Sequence, residues 1–307
     1  MAKVQKVEKI WLDGKMVAWD EANVHILTHT LHYGLGVFEG IRCYECEGGR
    51  SAIFRLKEHI QRLYDSAHIL LMKIPFSQDE ILAACKEIFR VNKLKAGYLR
   101  PIAFVGDGEM GLHATSNPTR VGVIAWPWGT YLGEEGVKNG IRVKISSFAR
   151  HHVNAMMIKS KTVGNYVNSI LAKREAMLAG YEETIMLDPQ GYVAEASGEN
   201  LFVVRGGKVK TPPLTNVLEG ITRHTVIQLL ADEGIKVEEA LVTRDELYIS
   251  DELFLTGTAA EITPIRELDH RAIGSGKPGP ITKKVQQAYF DLVKGKSQKH
   301  SEWLEYI

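Results

Sequence analysis

The chain has 307 residues, with 38 Lys+Arg against 37 Asp+Glu and a formal net charge of +1. That balance leaves no electrostatic footprint for DNA, RNA or an anionic membrane, while 45% hydrophobic and 24% charged residues are ordinary for a globular protein. At roughly 100–200 residues per domain the length implies two domains, or one large one, with enough core to need no disulfide or metal staple.

The opening residues, Met1 to Glu8, lack the apolar stretch of a secretory signal. No apolar run approaches the ~18–20 residues that span a bilayer. Three cysteines, Cys43, Cys46 and Cys85, are too few for a disulfide framework and fit a reducing cytosol. These features imply a cytoplasmic protein of a class dominated by enzymes.

In chain order, Glu8 to Val17 reads as a β-hairpin around an Asp13-Gly14 turn. Leu56, Ile60, Leu63, Ala67 and Leu70 recur on one face of a predicted helix. Ser77-Gln78-Asp79-Glu80 is a capping box ahead of a second helix through Ile81, Leu82, Cys85, Ile88 and Phe89. Strands follow at Tyr98–Val105 and Arg120–Trp126. The Gly- and Pro-rich segment Pro127 to Gly133 is the best boundary, which divides the chain into a small domain 1–126, a linker 127–136 and a large domain 137–307. The linker is unusually aromatic, as if its rings cover a ligand site.

Beyond it the pattern predicts a strand over Arg142–Phe148 and a helix from Asn165 to Ala179 closed by Gly180. Hairpin turns fall at Asp188-Pro189-Gln190-Gly191 and Gly206-Gly207. A helix begins at Thr222, and another covers Pro280–Val293. Strands and helices mix without strict alternation, so the expected class is α+β.

Two segments offer anion cradles. In Leu218-Glu219-Gly220-Ile221-Thr222-Arg223, Gly220 allows close backbone approach and Thr222 opens a helix whose amides attract an anion, or simply caps it. Gly257-Thr258-Ala259-Ala260 follows the apolar strand Leu253-Phe254-Leu255 and presents a second set of amides, or a plain turn. With no GxxxxGK[ST] present, the pair points to a phosphate-bearing cofactor rather than a nucleoside triphosphate. Gly34-Leu35-Gly36-Val37-Phe38-Glu39-Gly40 misses the dinucleotide spacing by one residue. Cys43-Tyr44-Glu45-Cys46 has no second pair to close a zinc site, and is better read as incidental than as a redox pair. His29 and His32 have few acidic neighbours and there is no HExxH, so no metal is expected. Without a GxSxG elbow, lysine is the remaining nucleophile. Lys159 and Lys161 both qualify for imine chemistry on residue type, and either also reads as a surface lysine.

Taken together, Tyr33 to Arg42, Ser160 to Tyr166, Glu195 to Phe202, Leu218 to Arg223 and Gly257 to Glu261 occur in an order that resembles the class IV, fold type IV, pyridoxal-phosphate aminotransferases. Within them the resemblance is to the branched-chain amino acid aminotransferases, and it runs from about Trp11 to Leu292. It implies two α/β domains with the active site at their interface, pyridoxal 5'-phosphate as cofactor, and transamination of L-leucine, L-isoleucine and L-valine with 2-oxoglutarate in ping-pong half-reactions. It aligns Lys161 with the lysine that holds the cofactor as an internal aldimine and moves the proton. Glu195 matches the partner of the pyridine nitrogen, and Tyr166 that of the phenolic oxygen. The phosphate falls to Arg62, with Leu218, Gly220, Ile221, Thr222, Gly257 and Thr258 completing the cofactor site.

The same resemblance assigns the substrate pocket to Tyr33, Phe38, Gly40, Arg42, Tyr98, Trp128 and Tyr131. The α-carboxylate goes to Thr258, Ala259 and Ala260, and the second carboxylate of glutamate or 2-oxoglutarate to Arg100. Apolar walls suit branched aliphatic side chains. Glu219 stands where the family often has proline, and Thr162-Val163 replace smaller residues, without removing a chemical group. The loop Gly106 to Leu112 matches a substrate lid shared across a dimer, so a homo-oligomer, a dimer or a trimer of dimers, is expected. D-amino acid transaminases, (R)-amine transaminases and aminodeoxychorismate lyases share this fold. Tyr98-Leu99-Arg100 favours the branched-chain type over the D-amino acid enzymes. A non-catalytic binding protein is the alternative from another class, and would be expected to lack Lys161 or Glu195.

Overall fold

The computed structural model describes residues 4–129 and 131–307. Met1–Lys3 of the opening residues and Thr130 of the predicted linker lie outside the described residues. By contacts the chain divides into two compact units. The first comprises Met1–Gly129, Ser160–Gly164 and Leu292–Ile307, and the second Thr130–Lys159 and Asn165–Asp291.

Among the described residues, eight strands form the sheet of the first unit, and every pairing in it is antiparallel. The expected hairpin pairs Lys9–Leu12 with Lys15–Ala18. Asp13 and Gly14 both take positive φ, the turn that matches strand twist. Gly97–Val105 is the hub of the sheet, pairing with Thr119–Trp126, Ile41–Glu45 and the short strand Gly36–Phe38. The helices Leu56–Ile69 and Gln78–Val91 pack Leu56, Ile60, Leu63, Ile81, Cys85, Ile88 and Phe89 into its core. Ser77 caps the second of them by accepting from the Glu80 N–H, as its capping box predicts.

In the second unit nine strands, again among the described residues, form a mixed sheet. Ile141–Ile145 runs parallel to both of its neighbours, Glu183–Leu187 and Glu261–Leu268. The turns expected at Asp188–Gly191 and Gly206-Gly207 join the strands Glu183–Leu187 to Val193–Ala196 and Asn200–Arg205 to Lys208–Thr211. Helices cover Tyr166–Leu178, Ile221–Asp232 and Pro280–Val293.

Two local expectations shift. The strand predicted to reach Phe148 stops at Ile145: the Ser146 N–H still donates to the Ile185 carbonyl, but the next amide, Ser147 N–H, turns to Glu175, which also accepts the Ser146 hydroxyl. The helix expected to open at Thr222 starts at Ile221, with Gly220 as its N-cap and no side-chain cap.

Candidate active site

Ser160–Gly164 forms an added edge on the first unit's sheet. The Phe38 N–H donates to the Lys161 carbonyl at 3.2 Å, and the Val163 N–H to the Gly36 carbonyl at 2.8 Å. Val37 and Thr162 face one another as an isolated antiparallel bridge. Two motifs far apart in the chain therefore form one backbone ladder. The Lys161 amine lies 5.2 Å from the centroid of the Phe38 ring. On the helix side, the Lys161 N–H donates to Ser66 Oγ and the Ser160 hydroxyl to the Ser66 carbonyl, each at 3.0 Å. Lys159 is placed differently. Its amine donates to the carbonyls of Leu214 and Val217 in the second unit. Residue type left the two lysines equal, but their surroundings do not.

Next to Phe38, Glu39 is fully buried. Arg62 grips it with a two-pronged ion pair, Nε to Oε1 at 2.7 Å and Nη2 to Oε2 at 2.8 Å. His59, one turn earlier on the same helix, reaches Glu39 Oε2 through Nδ1 at 2.7 Å. Burial alone would raise the Glu39 carboxyl, but Arg62 and His59 overcome it and hold the group far below the usual carboxylate range. Burial pushes His59 down, against the pull of Glu39, so the neutral ring donates from Nδ1.

Most of the predicted pocket residues of the first unit meet around Tyr98. Its ring packs edge-on to Trp128 at 4.6 Å and against Trp126 at 5.2 Å. A Cβ on Gly40 would lie 1.9 Å from the Tyr98 hydroxyl oxygen, so only glycine leaves room for that ring. The Arg100 guanidinium stacks 4.5 Å from the Phe38 centroid and donates from Nη2 to the Tyr98 hydroxyl at 3.4 Å. Its Nε is buried and has no hydrogen-bond partner. Arg42 donates to the Gly129 carbonyl at 2.9 Å. Tyr33 stands apart from this group in character, 44% exposed, with its ring 4.5 Å from that of His29.

In the second unit, Glu195 accepts hydrogen bonds on both carboxylate oxygens. Arg150 Nε donates to Oε1 at 2.8 Å, and the Leu218 N–H and Asn200 Nδ2 donate to Oε2 at 3.1 and 3.4 Å. Asn200 also donates to the Leu218 carbonyl at 3.0 Å. This accounts for Gly220 in a way the sequence did not suggest. Its backbone is extended rather than left-handed, and a Cβ there would lie 2.0 Å from Asn200 Oδ1. Arg150 further donates to Asn168 Oδ1 and Ser169 Oγ, which ties Glu195 to the helix that Tyr166 begins.

Ile221 and Thr222 form the first turn of their helix, whose N-cap, Gly220, brings no side chain to cap it. Gly257 through Ala260 make a hairpin tip after the strand Glu252–Gly257, which pairs residue by residue with Asn200–Val204. Behind the tip, Thr256 Oγ1 is buried without a partner. Tyr131 lies with its ring centroid 5.3 Å from the Lys173 amine.

Sequence reasoning missed Glu39, His59, Ser66, Arg150 and Asn200 as supporting residues. Glu39 and Asn200 stood inside quoted motifs without a role. The spacing of His59 and Arg62 on one helix face was a usable signal, whereas nothing flagged Arg150. Cys43 and Cys46 are free and buried, and burial pushes the Cys43 thiol up to about 12. No group of three or more His, Cys, Asp or Glu able to hold a metal occurs among the described residues. No described helix is long and apolar enough to cross a membrane.

A family model described as amino-transferase class IV matches residues 36–268. A branched-chain-amino-acid aminotransferase of Pseudomonas aeruginosa is 54% identical over 294 residues, covering 96% of this chain and 95% of that protein. The crystal structure of the Escherichia coli branched-chain amino acid aminotransferase aligns with a TM-score of 0.96 at 45% identity, over 98% of this chain and 99% of that one. That of the Thermoproteus uzoniensis branched-chain aminotransferase with norvaline aligns with a TM-score of 0.93 at 43% identity, over 98% and 99%.

Proposed function

Because the chain belongs to the class IV aminotransferases and is a branched-chain-amino-acid transaminase, we propose that it exchanges the amino group of L-leucine, L-isoleucine or L-valine with 2-oxoglutarate. The products are the branched-chain 2-oxo acid and L-glutamate, formed in two alternating half-reactions. Pyridoxal 5'-phosphate, when bound, supplies an aldehyde that takes up the amino group and a ring that accepts the electron pair of the substrate α-carbon. Lys161 is the covalent attachment point, and its amine carries the proton to and from the α-carbon.

Arg62, oriented by Glu39 and His59, meets the phosphate together with the amides of Ile221 and Thr222 and with Thr258. A guanidinium and a helix N-terminus together suit a dianion. Leu218, Gly220 and Gly257 shape that cup. Glu195 accepts from the protonated pyridine nitrogen, and Tyr166 donates to the phenolic oxygen. The Thr258, Ala259 and Ala260 turn takes the α-carboxylate through its amides. Phe38, Gly40, Tyr98 and Trp128 wall the side-chain pocket, with Tyr33, Arg42 and Tyr131 at its margins.

The observation that carries this reading is the placing of the Lys161 amine and the Arg100 guanidinium against the same ring, Phe38. The partnerless Arg100 Nε supports a role for that residue in meeting a second carboxylate. An aliphatic side chain then lies on Phe38 and Tyr98, while the far carboxylate of 2-oxoglutarate pairs with Arg100. We further infer a cytoplasmic homo-oligomer, a dimer or a trimer of dimers. The three free thiols support the compartment. Exposed Val167, Ile170, Leu171, Met177 and Leu178 on one helix support the assembly.

The test is a visible absorbance spectrum of the purified protein loaded with pyridoxal phosphate. L-leucine is expected to bleach the visible band, and 2-oxoglutarate to restore it. The absence of any band, or bleaching that 2-oxoglutarate does not reverse, would overturn the assignment.

A further inference from the structure

Ser66 lies one turn beyond Arg62 on the helix Leu56–Ile69 and is fully buried. Serine inside a helix commonly turns its hydroxyl back onto the carbonyl four residues earlier. Here the oxygen faces another segment and accepts from the Lys161 N–H at 3.0 Å. The Ser66 carbonyl, among the last four of its helix, accepts the Ser160 hydroxyl at 3.0 Å. On its other side the Lys161 peptide is held through its carbonyl by the Phe38 N–H at 3.2 Å. The backbone of Lys161 is thus clamped at both its N–H and its C=O, while its side chain extends over Phe38.

We propose that Ser66 is a positioning residue for Lys161. It fixes the lysine backbone in register with Arg62, so that the amine moves through side-chain torsions alone. The proposal rests on Lys161 being the cofactor lysine. In that role the amine leaves the cofactor and returns in every cycle. A fixed backbone keeps the return an intramolecular event of high effective concentration, and small misplacements of a reacting group are costly. Arg62 and Ser66, a turn apart on one rigid helix, set the distance between the phosphate anchor and the attachment point.

The experiment uses Ser66→Ala in the cofactor-loaded enzyme, with Ser160→Ala as a second variant that removes the outer hydrogen bond, and the one from the Thr162 hydroxyl with it, while leaving the Ser66 hydroxyl in place. Amide hydrogen exchange of the peptide spanning residues 160–164 is expected to quicken by about fivefold in Ser66→Ala, the equivalent of one net hydrogen bond, with no general acceleration elsewhere. kcat is expected to fall about 10- to 100-fold while KM for L-leucine stays unchanged, because Ser66 does not touch substrate. Ser160→Ala is expected to show a smaller change in the same direction. Unchanged exchange over 160–164, acceleration spread evenly over the chain, or a wild-type kcat would each overturn the proposal. Borohydride reduction and peptide mapping separate the two layers. Cofactor found on another lysine removes the Lys161 reading and this proposal with it. Cofactor on Lys161 with a wild-type Ser66→Ala removes the Ser66 assignment alone.

Discussion

In the first unit a buried carboxylate, Glu39, is surrounded by bases, with Arg62 and His59 both turned towards it. In the second unit the arrangement is inverted, and an arginine, a side-chain amide and a backbone N–H all turn towards Glu195. One unit commits an acid to hold an arginine in place, and the other commits an arginine to hold an acid. On the function proposed above, the difference suits a cofactor of mixed charge. A phosphate needs a fixed cation and a pyridinium a fixed anion, and each fixed charge needs a buried counterpart to hold it. Glu39 and Arg150 are therefore as informative as the residues they hold.

Four tests break or sharpen this contrast, and the largest effect belongs to the charge that reacts rather than to those that hold. Lys161→Ala is expected to lose at least about 10⁴-fold in kcat with an unaltered circular dichroism spectrum. Turnover near the wild-type rate would remove the lysine from the mechanism.

The second test compares the two holding pairs directly. Arg62→Ala leaves Glu39 with His59 alone and is expected to cost about 3–5 kcal/mol in urea unfolding of the cofactor-free protein. Arg150→Met costs less, since Leu218 and Asn200 still serve Glu195. A larger loss for Arg150→Met would reverse the contrast. Third, Arg100→Ala is expected to slow the 2-oxoglutarate half-reaction about 10- to 100-fold in single turnover and the L-leucine half-reaction much less. Equal losses in both would remove its selective role.

The smallest effects are in pH dependence, where two buried acids of the two units differ in sign. Glu39 lies far below its ordinary value of 4.5, so the stability it contributes is present above that pH and is lost as pH falls from there through its lowered folded value. Glu199 is raised to about 8, first by burial and then by Glu183, with Lys173 opposing. Its contribution is present below its unfolded value and is lost as pH rises towards 8. Thermal melts are expected to show Glu39→Gln flattening the limb below pH 4.5 and Glu199→Gln the decline between pH 4.5 and about 8. Exchange of the two effects, or no effect of either, would refute the assignment of these limbs.

Much of this was legible in the chain. The Asp13-Gly14 turn, the Ser77 capping box and the span of the last long helix, Pro280–Val293, follow from local rules, and each formed as those rules require. Roles for Lys161, Glu195 and Arg62 could be proposed only from an ordered set of motifs, since each alone has a bland reading. What stayed hidden depends on contacts distant in sequence. Ser147 leaves its expected strand for Glu175, and Gly220 is glycine because of Asn200. On residue type the two candidate lysines were equal and only the resemblance favoured Lys161; that the Lys159 amine is engaged by the carbonyls of Leu214 and Val217 could not be read from the chain. No periodicity encodes such pairings.

The strand Leu304–Tyr306 pairs with Ser51–Phe54 to form one margin of the first sheet, and the lysine loop docks on Gly34–Phe38 in the same unit. During synthesis, then, the first unit waits on chain made much later. Until residues beyond 300 have left the ribosome, Ser51–Phe54 offers unpaired backbone to any neighbouring strand. The part translated first is the part finished last, and its vulnerable interval on the ribosome spans the making of the whole second unit.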